Sequence, residues 1–182
     1  NKYDVIKCAF FVGEEMGCIG SSDANMDWFK NCRFVVQCDR KGNSDLVTTI
    51  SGELCSNEFV EAVNPTAYGY KESSGLLTDV LSLKENGLGV SAVNMSCGYY
   101  NPHTEHEYTI IEDIYKCLDF VEHIIEDCTK VYPHNYTRAT YSITKPKKCS
   151  LSFEEQYSEA YDSIYMDYAY YPNDRGNFEY YF

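Results

Sequence analysis

Apolar residues fall along this chain in short blocks and in one long periodic stretch. Residues 5–12 (VIKCAFFV) form an apolar run closed by Gly13, the pattern of a buried strand. Residues 33–38 (RFVVQC) form a second apolar run, which ends at Asp39. Residues 45–51 (DLVTTIS) are β-branched and predict a third strand. Residues 91–97 (SAVNMSC) predict a fourth, followed by a Gly-Tyr-Tyr-Asn-Pro-His loop.

Helical signals lie between these runs. Ser22 or Asp23 is placed to cap a short helix over 24–30. Residues 56–63 read as a helix capped by Ser56, with Glu58 and Glu61 on its polar side. Pro, Gly and Ser make 64–78 a loop, and 79–86 is a helix stopped by Gly87. The longest helix is expected over 109–131. There Ile110, Ile111, Ile114, Cys117, Leu118, Val121, Ile124, Ile125 and Cys128 recur at 3/4 spacing, and Pro133 bounds it. Strands alternating with helices predict an α/β fold, with a largely parallel or mixed sheet flanked by helices.

This organisation predicts one domain over 1–132 and a separate tail over 133–182. From Cys149 onward the tail holds eight tyrosines, seven acids and one arginine. Phe153, Tyr157, Tyr161, Ile164, Tyr165 and Tyr168 make a helical stripe, either packed on the domain or presented to a partner. Beyond Pro172 an irregular or flexible end is expected.

Charge narrows the function. Lys and Arg total 15 against 28 Asp and Glu in 182 residues, a net charge of −13. Such a field repels phosphate backbones and anionic lipid, so neither nucleic acid nor membrane is an expected partner. No apolar run approaches the ~18 residues of a membrane span. The nine cysteines are scattered, without a Cys-x-x-Cys. Together with an opening that lacks the pattern of a secretory leader, they predict reduced, mostly buried thiols and a cytoplasmic protein. On that reading the sequons at Asn94 and Asn135 are chance matches.

Candidate chemistry gathers where strands end. Glu14 and Glu15 follow the first run between Gly13 and Gly17. Neighbouring residues of an extended chain point to opposite sides, so such a pair can divide its work, one binding a metal and the other acting as general base. Asp39 ends the second run; it suits a metal, or simply a turn before Arg40-Lys41-Gly42. His103 and His106 lie in a loop between a strand and the long helix, a metal or acid/base position, or a capping loop. His123 and His134 read as surface residues.

The order Gly13-Glu14-Glu15-Met16-Gly17, then a strand ending in Asp39, then the segment 94–108 with His103-Thr104-Glu105-His106-Glu107-Tyr108, resembles the C-terminal part of the co-catalytic zinc exopeptidases. That superfamily includes peptidase T, aminoacylase, desuccinylase and related aminopeptidases, and the resemblance spans about 5–130. Gly75-Leu76-Leu77-Thr78-Asp79 is similar to its substrate-side loop. The resemblance implies a two-metal hydrolase acting on a peptide or acyl-amino-acid substrate. Glu14 would be the general base, Glu15, Asp39 and His103 the metal ligands, and Thr78 and Asp79 substrate-binding residues. The acid four residues after the histidine, Glu107, marks His103 as the ligand and His106 as a neighbour. The implied cofactor is zinc, one or two ions per complete site, with cobalt or manganese able to share such ligands.

The superfamily also carries a His-x-Asp and a bridging Asp before the Glu-Glu pair, and only 13 residues precede that pair here. The expectation is therefore weak metal binding and no peptide hydrolysis by this chain alone, unless a second copy or a complementing chain supplies ligands. The alternative function is an inactive peptidase-like assembly module acting through its tyrosine-rich tail.

Overall fold

A computed structural model of the chain describes residues 5–139, which lie within the compact unit Asn1–Thr140. Cys149 and the tyrosine stripe of 153–168 lie outside the described residues. The fold is α/β, built on a mixed four-stranded sheet. Its strands are β1 (Val35–Arg40), β2 (Asp45–Thr49), β3 (Lys71–Ser74) and β4 (Ala92–Ser96), in the order β1-β4-β2-β3. β1 runs parallel to β4 and β2 parallel to β3, while β2 and β4 are antiparallel.

The helices are α1 (Ile19–Ser22), α2 (Asn57–Val63), α3 (Asp79–Glu85) and α4 (Ile111–Asp127). Strand periodicity sends alternate side chains to two cores. Leu46, Val93 and Met95 join Phe59 and Val63 of α2 and Cys117, Phe120 and Ile124 of α4. Val47 and Ala92 join Val80, Leu81 and Leu83 of α3. Because both its faces are covered, β4 is buried at all five positions, the polar Asn94 and Ser96 included. Full burial of a side chain such as Phe120 contributes about 1.5–3 kcal/mol.

Several elements follow their local signals. Ser56 Oγ accepts from the Phe59 amide at 3.2 Å and caps α2. α3 ends at Asn86, and Gly87 follows at φ +93°. In α4 the buried stripe is Cys117, Phe120 and Ile124. Ile111, Ile114 and Leu118 remain exposed, so the inward face is rotated from the one the spacing suggested.

Other expectations are corrected. Residues 5–12 are not a strand: they form no ladder among the described residues, and Phe10 is 94% exposed. Apolar composition gives β propensity but cannot supply the neighbour whose backbone groups a strand needs. The helix over 24–30 is replaced by α1 and a 3₁₀ turn at Met26–Phe29, capped by Asn25 accepting from the Asp27 amide. The loop over 64–78 contains β3, whose Lys-Glu-Ser-Ser sequence carries no apolar signal because it is a sheet edge. After β4 comes a small hairpin, β5 (Tyr99–Tyr100) with β6 (Tyr108–Thr109). His123 is not a free surface residue: its ring stacks on Tyr68 at 4.3 Å and Nδ1 meets Asp127 at 3.2 Å.

Residues 133–139 pack on the domain. Tyr136 donates to the Ile50 carbonyl, and the His134 amide donates to that of Gly89. The buried Lys84 amine ties this segment down, donating to the carbonyls of Leu88, Val90 and His134 at 3.0, 2.8 and 2.7 Å. No described helix is long and apolar enough to cross a membrane.

Candidate functional site

Four chain segments meet at the end of the sheet where β1 and β4 finish. The first is a tight loop after residue 12. Gly13 and Gly17 have φ of +67° and +97°, and Cys18 is left-handed at +57°. The Glu14 carbonyl accepts from the Gly17 and Cys18 amides at 3.0 and 2.8 Å, which fixes the Glu14-Glu15 backbone. Gly20 closes the loop against Val12, with no room for a side chain: a Cβ there would stand 2.8 Å from the Val12 backbone.

Asp39 sits where the register of β1 against β4 shifts, between Gln37 and Arg40. Asn94 holds it there. Its Oδ1 accepts from the Asp39 amide at 3.0 Å, and its Nδ2 donates to the Asp39 carbonyl at 2.9 Å. The same amide donates to Thr78 Oγ1 at 3.1 Å, and Thr78 donates to Gln37 Oε1 at 2.7 Å. Thr78 is thus buried and occupied internally, and it joins the start of α3 to β1. Asp79 follows it and accepts from Ser21 Oγ at 2.6 Å. As Asn94 is buried within the central strand, its sequon is not an accessible acceptor.

The hairpin delivers the histidine. Asn101 and His103 are both left-handed, at φ +52° and +62°. The His103 amide donates to Glu107 Oε2 at 3.1 Å, so the acid four residues later holds the loop. Among the described residues, three of the six non-glycine residues with positive φ (Cys18, Asn101, His103) lie in the two loops of this site, a concentration of strain of the kind found at functional sites.

Electrostatics ties the segments together. His103 Nε2 lies 3.7 Å from Glu15 Oε1. Partial burial, reinforced by the charges of Asp39, Glu15 and Asp79, raises the Glu14 carboxyl to about 7. Burial and Asp79 likewise push Asp39 upward, while hydrogen bonds from Gln37 and Tyr99 and the charge of His103 pull it down. Glu14, Glu15, Asp39, Asp79 and His103 therefore act on one another. His106 takes part through its backbone, with its amide on Thr104 Oγ1 and its carbonyl on Asn101 Nδ2. His134 lies elsewhere, at the Lys84 anchor.

The donor chemistry, carboxylate oxygens with one imidazole, suits a divalent cation, and mutual repulsion of the carboxylates favours one. Among the described residues, however, no three His, Cys, Asp or Glu side chains close around one point. Sequence reasoning overlooked Asn94, Gln37 and Ser21, which hold the acids in place. Polar residues inside the apolar runs of β1 and β4 were the available signal. The chain matches no family model, no curated protein and no solved structure.

Proposed function

We propose that this site is the acidic part of a metal-dependent amide hydrolase centre. The observation that carries the reading is the meeting of Glu14, Glu15, Asp39 and His103 at one sheet end, from two loops and the end of β1, distant in sequence. Glu15, Asp39 and His103 would hold zinc, or cobalt or manganese in its place. A bound ion supplies Lewis acidity toward a carbonyl and lowers the pKa of water. Glu14 is the general base. Its carboxylate takes a proton from the attacking water and passes it to the leaving amine, and partial burial, reinforced by the neighbouring acids, brings its pKa near neutral for both transfers. Asp79 faces a peptide or acyl-amino-acid substrate, with Ser21 fixing its carboxylate. Thr78 supports the same edge from within.

The test is zinc titration by calorimetry, with hydrolysis of a peptide and an acyl-amino-acid panel. Saturable zinc binding lost in Asp39→Asn and His103→Ala supports the reading. If turnover occurs, it should fall at least a hundredfold in Glu14→Gln while zinc still binds. Unaltered zinc binding in both ligand variants overturns it.

A second reading, an assembly module, is favoured by exposed Val5, Phe10 and Val12. Sedimentation of the full chain separates the two: self-association abolished by Phe10→Ser, without any zinc binding, supports assembly.

A further inference from the structure

The two edges of the sheet differ. β3 closes one edge with Lys71 and Glu72, charged residues that discourage a further strand. β1 forms the other edge, where Phe34-Val35-Val36-Gln37-Cys38 carries no charge and no proline. Several of its side chains are already engaged: Phe34 and Val36 pack on the α4 core, Val35 packs on the α3 core, and Gln37 accepts from Thr78. What the edge offers is backbone. A strand residue turns its amide and carbonyl to one side, and its neighbours turn theirs to the other. The Val35 amide donates to the Ser91 carbonyl at 3.0 Å, and both backbone groups of Asp39 bind the Asn94 side chain. Val35, Gln37 and Asp39 therefore face β4. Phe34, Val36 and Cys38 aim their amides and carbonyls outward, where β1 meets no strand among the described residues.

We infer that this edge is a self-association surface, on which β1 of a second copy pairs antiparallel about Val36. In that register Val36 faces its own counterpart and Phe34 faces Cys38. All three outward residues of each copy then sit in hydrogen-bonded pairs, which exchange both their bonds. Sliding by one residue sets outward residues against residues turned toward β4. Sliding by two leaves one of the three without a partner in the stretch. Charge selects the same arrangement. Arg33 and Asp39 flank the stretch, and antiparallel pairing about Val36 sets each opposite the other. A parallel, in-register pair would set arginine on arginine and aspartate on aspartate. The two four-stranded sheets thus join through their β1 edges. The contact is a backbone ladder of modest area, which makes a weak, concentration-dependent dimer. Neither reading of the acidic site enters this pairing, and Phe10 takes no part in it.

The test follows the full-length chain, with a thiol reductant present, by sedimentation equilibrium and by amide hydrogen exchange at low and high protein concentration. Salt at about 0.15 M screens the net charge of −13. A monomer–dimer equilibrium is expected, with exchange at the Phe34, Val36 and Cys38 amides slowed about tenfold or more at the higher concentration. The Val35 amide, already bonded to Ser91, should be protected at both. Val36→Pro removes an outward amide that β4 does not use, a change an edge strand tolerates, and should leave a folded monomer. Phe10→Ser should leave the dimer intact. A chain that stays monomeric overturns the assignment, as does a folded Val36→Pro chain that still dimerises. If circular dichroism shows that Val36→Pro misfolds, exchange in the parent chain decides: outward amides that exchange equally fast at both concentrations overturn the pairing. Outward amides already protected in the dilute monomer assign the edge to residues 140–182 of the same chain and overturn it too.

Discussion

His103 Nε2 and Glu15 Oε1 stand 3.7 Å apart at the tips of two loops, one following the apolar run of 5–12 and the other inside the β5–β6 hairpin. Both side chains are more than half exposed. The pair therefore contributes little to folding, under ~1 kcal/mol. A double-mutant cycle on thermal stability with Glu15→Gln and His103→Ala should give coupling below ~0.5 kcal/mol. Either substitution should weaken zinc binding about tenfold or more, as loss of a metal-site group does. Strong folding coupling with unchanged zinc affinity would make the pair structural instead.

The residues of this pair were legible in sequence because each sits beside a backbone signal. Glu14 and Glu15 lie between glycines that adopt positive φ, and His103 lies in a loop after an apolar strand. Ser56 and Gly87 gave α2 and α3 for similar local reasons. What sequence could not give is partnership. β3 is hydrophilic because it is an edge, and residues 5–12 are apolar yet pair with no strand among the described residues. The burial of Lys84 was equally invisible, since its three acceptors are carbonyls, and any residue type carries one of those.

Glu14 should give the chain a measurable pH signature. Its carboxyl is raised from 4.5 to about 7 by burial and by neighbouring acids. Between those values the folded chain holds a proton that the unfolded chain has released. Its stabilisation is therefore full below pH 4.5 and is lost as pH rises through 7. Solvent screening at this half-buried group limits the effect to about 1 kcal/mol. Glu14→Gln should remove it, melting higher than the parent at pH 8 and alike at pH 4.5. Parallel melting curves for the two proteins across that range would refute the shift.

Lys84 anchors 133–139 through its amine. Lys84→Met keeps the volume of the stem and leaves the carbonyls of Leu88, Val90 and His134 without their donor. Each buried carbonyl so orphaned costs about 1 kcal/mol or more. Relief of a buried charge, which burial holds down to about 8, offsets part of this. The expected net loss is about 1–3 kcal/mol in urea unfolding, with earlier amide exchange at His134 than in the parent. A variant as stable as the parent would show that the amine contributes nothing net.

Gly98 decides where the histidine hairpin goes. It has φ +91°, its amide donates to the Gly42 carbonyl at 2.8 Å, and its own carbonyl accepts from the Ile110 amide at 2.9 Å. A Cβ there would lie 2.8 Å from Asp113 Cβ and 3.0 Å from the Ile114 amide nitrogen. The obstacle is helix backbone, which cannot turn aside as a long side chain can. Left-handed strain adds about 1 kcal/mol or more to the clash. Asp113 also accepts from Tyr100 Oη at 2.6 Å and from Asn43 Nδ2 at 2.8 Å, so moving it loosens the hairpin that carries His103. Gly98→Ala should therefore destabilise the fold by about 2–3 kcal/mol and weaken zinc binding beyond what stability alone explains, because His103 would lose its placement opposite Glu15. Gly87→Ala is the control: it shares a positive φ of +93° but has no atom within 4 Å of its Cβ position. It should lose stability by strain alone and leave zinc affinity intact. Equal zinc affinities in the two variants would mean that the hairpin does not position His103.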